Sequence, residues 1–313
     1  MVDRLRPALD EDRGSRHGIA YGAAAYLLWG LFPLYWPLLE PAGAVEILAQ
    51  RIVWTFVAVL VLLAVLRSWS WLPQLLRDRR RFGLLAIAAV VITFNWGTYI
   101  YGVNSGQVVE TSLGYFINPL VTVLLGVVVL AERLRVAQWI AVAIATVAVG
   151  VLTIDYGRVP WIALVLAFSF ATYGLLKKKA NVGAVQSLAV ETGVLLLPMT
   201  AYLLTLTFTG RSTFGQEGIG HAMLLAGSGV VTAIPLLFFG AAAIRIPLTQ
   251  LGLLQYLAPT LQLAIGVLLY NEPMPPVRLL GFALVWTALV VFTIDSLASV
   301  RRRQLELTAH SVG

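Results

Sequence analysis

Long apolar stretches separated by short polar connections dominate this sequence. A helix needs about 20 apolar residues to cross ~30 Å of hydrocarbon, and ten stretches approach or exceed that length. The pattern therefore predicts an all-α membrane protein with ten transmembrane helices, and the connections are too short for a separate soluble domain. The predicted spans are residues 18–36, 45–66, 82–103, 107–130, 136–154, 161–176, 184–207, 221–242, 247–270 and 277–295.

The second half of the chain repeats the first at one constant offset, which aligns 119–155 with 259–295 without a gap. Ten positions of this alignment are identical, and they include proline, glycine, glutamate and aspartate. Each half contains five spans, and an odd number turns the second half upside down, as in many secondary transporters. The sequence thus predicts two inverted five-helix repeats between cytoplasmic tails. The predicted units are an N-terminal tail 1–17, repeats 18–154 and 161–295, and a C-terminal tail 296–313.

Charge fixes the predicted orientation. Eighteen Lys and Arg residues fall in loops and tails on one side, against Arg158, Arg211 and Arg278 on the other. Because basic residues concentrate on the cytoplasmic side, we expect a multi-pass protein of the bacterial cytoplasmic (inner) membrane with both termini cytoplasmic. The net charge of +7 is then a topology signal, and nucleic acid is not an expected partner. The polar stretch 1–17 has no cleavage site after the following apolar run, which predicts a retained first span.

The composition narrows the chemistry. Hydrophobic residues make up 59% of the chain and charged residues 12%, about half the charged share of a soluble domain. Cysteine is absent and the three histidines are scattered, so neither a metal site nor a cofactor is expected. Nucleotide-binding loops, nucleophile elbows and zinc-protease motifs are absent too. An enzyme is therefore not predicted.

Polar residues inside spans indicate a candidate substrate cavity. In the fourth span Thr111, Tyr115, Asn118 and Thr122 recur at helical spacing, and the ninth span has a matching stripe. Buried polar groups turn towards the bundle interior, so these faces can line a cavity; amides that only join helices are the alternative. The candidate cavity residues are Asn95, Trp96, Tyr99, Tyr115, Asn118, Gln255, Tyr256 and Gln262.

Three charges and two prolines inside spans carry further hypotheses. The repeat makes Arg51 and Glu191 counterparts in the second and seventh spans, and Glu110 lies early in the fourth. We interpret Glu191 as a proton-sensitive element, and Arg51 with Glu110 as an outer ion pair or anion-binding point; side chains that extend to the membrane surface are the alternative. Pro119 and Pro259 are candidate helix breaks, unless they only kink their helices.

Several segments resemble a known transporter family. Residues 26–33 (YLLWGLFP) resemble the first span of the EamA family in the drug/metabolite transporter superfamily. Four further segments are similar to RarD proteins of that family, and the likeness extends over residues 18–303. They are 46–54 (EILAQRIVW), 112–121 (SLGYFINPLV), 166–170 (LAFSF) and 255–261 (QYLAPTL).

The resemblance implies a duplicated ten-span fold and transport of small molecules. We therefore predict a secondary transporter, an exporter or exchanger of small metabolites or amphipathic drugs that works by alternating access. Proton or counter-substrate coupling, the substrate and the oligomeric state are left open. A non-transporting membrane scaffold or regulatory protein is the alternative function. A membrane-embedded enzyme would require a clustered nucleophile or paired carboxylates.

Overall fold

A computed structural model describes residues 17–67, 69–130, 134–243, 245–246 and 254–312, and every regular element in these ranges is helical. Twelve helices are labelled in chain order. They are α1 His17–Gly30, α2 Phe32–Tyr35 (followed by a 3₁₀ turn, Trp36–Leu39), α3 Ala44–Val65, α4 Leu72–Arg77, α5 Arg79–Asn104, α6 Val108–Leu130, α7 Val136–Tyr156, α8 Trp161–Ala180, α9 Ala184–Phe208, α10 Gly218–Ala243, α11 Leu257–Ala264 (followed by a π-helical turn, Ile265–Leu269) and α12 Pro276–Val312.

Length and apolarity identify the helices that can cross a membrane. Seven of the described helices meet both conditions, and an eighth span results if α1 and the bent segment Phe32–Leu39 are taken together. The predicted all-α membrane fold is thus confirmed, with seven to eight candidate spans among the described residues; the predicted number of ten stays a prediction. The helix α6 coincides with the predicted fourth span, and the predicted ninth span lies partly in residues 247–253, outside the described residues. The spanning helices are α3, α5, α7, α8, α9, α10 and α12 up to Asp295.

Three predicted boundaries differ from the structure. The first span bends by 41° after Gly30, next to Pro33 and Pro37, which lie in the first turn of the two following helical segments, each as the second residue. Proline is tolerated there because those N–H groups have no intrahelical partner. The sixth span extends to Ala180, and the tenth continues as helix to Val312 through most of the predicted C-terminal tail.

Helix α8 gains its extra turn from a favourable C-terminus. Lys177, Lys178 and Lys179 lie in the last turn, where the helix dipole favours cations. Asn181 then ends the helix in the left-handed conformation, with φ of 49°, which asparagine tolerates better than most residues. The three lysines that marked a loop in the sequence are therefore helical.

The largest apolar core joins α6, α7, α8 and α12, and a second core joins α3 and α5 to the segment after α1. The helices α7 and α12 run antiparallel, because an ion pair links them at each end. Arg135 contacts Asp295 at 2.5 Å, and Arg278 contacts Asp155 at 2.7 Å. Large apolar side chains cover the outer surface, as a lipid-facing surface requires; among the most exposed are Phe94, Leu197, Phe208, Ile219 and Ile154.

Two glycines allow close helix crossings. A Cβ atom at Gly229 of α10 would lie 2.3 Å from the backbone carbon of Trp54 in α3. A Cβ atom at Gly114 of α6 would lie 2.8 Å from the carbonyl oxygen of Ala163 in α8. Small residues let backbones approach in membrane bundles, and both crossings adjoin the polar residues described next.

Candidate functional site

Arg51 lies in the N-terminal half of α3, as its eighth residue, and is only 3% exposed. Its Nε–H donates to the Thr232 hydroxyl of α10 at 2.8 Å. The guanidinium carbon lies 4.1 Å from the ring centre of Trp96, 4.9 Å from that of Trp36 and 5.6 Å from that of Phe32. These distances are those of cation–π contacts, so aromatic faces enclose the charge.

Four of the predicted cavity residues adjoin this arginine. Trp96 contacts its guanidinium, and the hydroxyl groups of Tyr99 and Tyr115 are near enough to interact electrostatically with it. Tyr115 donates to the Asn95 side-chain carbonyl at 3.2 Å, and its ring packs edge-on against Tyr99 at 5.7 Å. We call this group the Arg51 cluster. Its members are Arg51, Phe32, Trp36, Asn95, Trp96, Tyr99, Tyr115 and Thr232.

Asn95 anchors the cluster to α8. Its amide nitrogen donates to the carbonyl of Leu166 at 3.1 Å and to the hydroxyl of Ser169 at 2.9 Å. With its carbonyl occupied by Tyr115, this fully buried amide has partners on both sides. Asn95 therefore positions Tyr115 and joins α5 to α8, while its role as a cavity residue stays a prediction.

The other four predicted cavity residues have hydrogen bonds elsewhere. Asn118 accepts a hydrogen bond from Thr122 of its own helix. Gln262 donates to the Trp29 carbonyl at 3.2 Å, which joins α11 to α1. Tyr256 packs against the large core and shares hydrogen bonds with Gln255 and Thr293. A single cavity for all eight residues stays a prediction, and the described contacts gather only half of them.

Sequence reasoning missed three members of the cluster. Phe32 and Trp36 belong to an apolar stretch in which nothing distinguished them from lipid-facing aromatics. Thr232 is a single hydroxyl in α10, and its importance comes from the close crossing at Gly229, one turn earlier. A search for aromatic and hydroxyl partners of the intramembrane arginine could have suggested them.

The predicted pairing of Arg51 with Glu110 is wrong. Glu110 contacts Arg158 at 2.7 Å and accepts the backbone N–H of Ile162 at 3.0 Å. Arg158 also donates to Gln107 at 2.6 Å. The carboxylate thus satisfies a free donor in the first turn of α8 and links that turn to α6. Because Arg158 and the first turn of α8 occupy the Glu110 carboxylate, Glu110 does not pair with Arg51.

Glu191, interpreted from the sequence as a proton-sensitive element, is a carboxylate with three bonded partners. It contacts the Lys177 ammonium at 2.8 Å, and it accepts hydroxyl hydrogens from Tyr173 at 2.9 Å and Ser187 at 2.6 Å. Lys177 also bonds to Ser187. The extra turn of α8 brings the lysine over α9. Gln250, which the repeat offset makes the counterpart of Glu110, lies outside the described residues.

The two candidate helix breaks differ in the structure. The helix α6 continues through Pro119 from Val108 to Leu130. Pro259 occupies the first turn of α11, where a missing N–H costs no intrahelical hydrogen bond. The prediction of a helix break is therefore wrong for Pro119. Near Pro259 the predicted ninth span is interrupted, because Leu254 is helical, Gln255 and Tyr256 form a turn and α11 begins at Leu257.

Glu272 caps α6 from the loop that precedes α12. Its two carboxylate oxygens accept the backbone N–H groups of Val108 at 2.5 Å and Val109 at 2.9 Å. Burial raises the pKa of Glu272, while these two donors and Arg278 oppose that shift. Glu272 therefore satisfies free backbone donors at the start of α6; its repeat counterpart, Glu132, lies outside the described residues.

An open groove of about 510 Å³ lies away from the Arg51 cluster, between α3, α9 and α10. Its lining is almost wholly aliphatic and includes exposed Val57, Val61, Val230 and Leu237. Without polar groups it cannot orient a solute by hydrogen bonding. We take it to be a lipid-facing surface, and the chemistry lies with the polar cluster.

Comparisons with known proteins show which family and which fold the chain resembles. Residues 16–154 match the model of the EamA-like transporter family. The chain is 60% identical to a Protein RarD of Streptomyces exfoliatus over 94% of this chain and 93% of that protein. It is 44% identical to the uncharacterized transporter YojE of Bacillus subtilis (90% and 95% covered) and 42% identical to Protein RarD of Escherichia coli (92% and 97% covered). A crystal structure of an 18% identical chain superposes with a TM-score of 0.56 over 88% of this chain and 97% of the other, which shows a shared fold.

Proposed function

Since this chain belongs to the EamA-like transporter family and is a membrane transporter of the drug/metabolite type, we propose that it is a secondary exporter or exchanger that works by alternating access. The predicted family resemblance is confirmed by its RarD relatives. The proposed substrates are small metabolites or amphipathic drugs, bound between two inverted five-helix repeats in the cytoplasmic membrane. The remaining paragraphs give the support for each part.

Antiparallel packing of repeat counterparts supports the inverted arrangement. The repeat offset maps the first residue of α7 onto the first residue of α12, and their two terminal ion pairs make these helices antiparallel. The same offset maps the start of α3 onto the start of α9. The C-terminal part of α3 (Val59, Leu63) packs on the N-terminal part of α9 (Leu188, Ala189). Counterparts that run in opposite directions are what inverted repeats require.

The Arg51 cluster is the observation that carries the proposal. Its members come from α3, α5, α6 and the segment after α1 in the first half, and Thr232 comes from α10 in the second. A charge held where the two halves meet can be exposed to either side as they move apart. A scaffold has no use for a buried cationic site, because such a charge is costly in a membrane.

The C-terminus is expected to be cytoplasmic. A reporter enzyme that is active only in the periplasm, fused after Gly313, should give no activity. The 18 basic loop and tail residues on the same side as the C-terminus are expected to keep that side in the cytoplasm. The same reporter fused in the α7–α8 loop after Gly157 should be active and serves as the control. Activity of the C-terminal fusion would overturn the proposed topology.

Counterflow in proteoliposomes tests transport itself. Vesicles that contain the purified chain and one unlabelled solute should accumulate the same labelled solute transiently, because an exchanger trades internal for external substrate. Amino acids, nucleosides, organic acids and amphipathic drugs form the panel, and protein-free vesicles are the control. If no member of the panel accumulates above that control, the scaffold alternative is favoured.

A further inference from the structure

We propose that Arg51 recognises the carboxylate of an organic monoanion with an apolar or aromatic body, an assignment that rests on the proposed transport function. It specifies which solutes the Arg51 cluster accepts. The case depends on the unpaired charge of the arginine, on the excess of hydrogen-bond donors around it and on the shape of its aromatic enclosure.

The positive charge of Arg51 has no carboxylate partner among the described residues. The described carboxylates that are buried or half-buried within or near the spans are engaged elsewhere, by an ion pair, a hydroxyl or backbone N–H groups, and Glu40 is exposed. A buried charge without a counter-ion is strongly unfavourable and is kept in a membrane chiefly for function. The engaged carboxylates are Glu46, Glu110, Asp155, Glu191, Glu272 and Asp295.

Among the described residues, only one half of the repeat has a charged residue here without a counter-ion. Glu191, the counterpart of Arg51, has Lys177 from α8 as its counter-ion. The offset that relates Arg51 to Glu191 also maps Lys177 onto Pro37 in the first half, which carries no charge. One half therefore contains its own ion pair, and the other presents an arginine whose partner must come from outside the described chain.

The groups around the guanidinium offer more hydrogen-bond donors than acceptors. The Nη1 of Arg51, the indole Nε1 of Trp36 and the hydroxyl group of Tyr99 are all buried without a hydrogen-bond partner. Arginine and the indole nitrogen can only donate. A ligand that accepts without donating satisfies such a set, and a carboxylate does so, with the bidentate geometry that guanidinium favours. A cationic ligand would meet like charge and no free acceptor of comparable strength.

The number of charges favours a carboxylate over a phosphate. Arg51 is the only cation in the cluster as described, and it matches a single negative charge, whereas a phosphate monoester carries nearly two at neutral pH. The surrounding rings of Trp96, Tyr115 and Phe170 provide apolar faces for the rest of the solute. The expected ligand therefore combines one carboxylate with an apolar or aromatic body.

A series of probes with one aromatic ring tests the assignment on the full-length purified protein. Phenylacetate, phenethylamine, 2-phenylethanol and phenylphosphate differ chiefly in the charge of the polar group, and acetate lacks the ring. Binding is read as a rise in the melting temperature in detergent, because a ligand of the native state stabilises it. At millimolar concentration phenylacetate should stabilise the wild type most. Equal or greater stabilisation by phenethylamine, 2-phenylethanol or phenylphosphate would overturn the proposal.

Variants connect the preference to Arg51. Arg51→Gln should weaken phenylacetate binding at least about tenfold, the size of one lost charged hydrogen bond, and should leave 2-phenylethanol unaffected. Its own melting temperature should not fall, because the variant removes an unpaired buried charge. Arg245→Gln removes an equal charge at an exposed position and should change nothing. Unchanged phenylacetate binding in Arg51→Gln would overturn the proposal.

A conservative variant covers the case in which Arg51→Gln does not fold. Arg51→Lys keeps the charge but loses the planar fork, so anion preference should persist with reduced affinity. If Arg51→Lys bound phenylacetate as tightly as the wild type, recognition by the planar guanidinium would be refuted. Counterflow separates this inference from the proposed function. If phenylacetate binding requires Arg51 but no solute shows counterflow, the proposed transport is refuted and the inference stands. If other solutes show counterflow but anions are not preferred, the inference is refuted and transport stands.

Discussion

Gly229→Ala is expected to prevent stable folding of the transporter. The new Cβ atom would lie 2.3 Å from the backbone carbon and 2.4 Å from the carbonyl oxygen of Trp54. Backbone atoms of a packed helix cannot move aside as a flexible side chain can. Overpacking usually costs about 1–3 kcal/mol, and we expect this substitution at or above the upper end. The fraction of monodisperse protein and its melting temperature in detergent measure the effect.

Gly220→Ala is the matched control in the same helix. A Cβ atom there would meet no heavy atom within 4 Å, and alanine is the better helix former by about 1 kcal/mol. We therefore expect an unchanged or slightly raised melting temperature. If both alanine variants behave like the wild type, the crossing of α3 and α10 is looser than the structure indicates.

The same crossing explains why the functional effect should exceed the loss of stability. Thr232 follows Gly229 by three residues and accepts the hydrogen bond from Arg51, which itself precedes Trp54 by three. Any separation of the two helices therefore draws the hydroxyl away from the guanidinium. Residual folded Gly229→Ala protein should bind phenylacetate more weakly than the wild type.

Much of the fold follows from local rules, since hydrophobic length alone gives the membrane class and most helix positions. The sequence also singled out Asn95, Trp96, Tyr99, Tyr115 and Arg51, because polar or aromatic residues in apolar spans have few roles. These five are brought together in the structure.

Partners across helices could not be predicted in the same way. Arg51 and Glu110 have opposite charge and similar predicted depth, yet depth does not fix the angular position of a side chain on its helix. Glu110 faces α8 and Arg158, while Arg51 faces α10 and the aromatic rings. Lys177 was assigned to a loop, because the end of α8 depends on the left-handed Asn181 and not on hydropathy. Both errors concern the rotation or exact end of a helix.

Glu191→Gln is expected to lower stability and to flatten the pH dependence of transport. The substitution leaves the Lys177 ammonium, 23% exposed, beside hydroxyl groups and without its carboxylate. Breaking a buried pair by removing one partner costs about 3 kcal/mol or more. The charged and titratable groups that contact Glu191 are Lys177 and Tyr173. Melting temperature and counterflow between pH 5 and 8, about the range of maximal protein stability, give the two readouts.

The double variant Lys177→Met/Glu191→Gln separates a structural from a functional role. Removing both charges together eliminates the unpaired ammonium, so the melting temperature should recover towards that of the wild type. The pH dependence of transport should stay that of the single variant Glu191→Gln, because the carboxylate is still missing. Asp78→Asn provides the control at an exposed pair with Arg81, where the effect on stability should be small. If the double variant regains both stability and wild-type pH dependence, Glu191 holds α8 against α9 and takes no part in coupling.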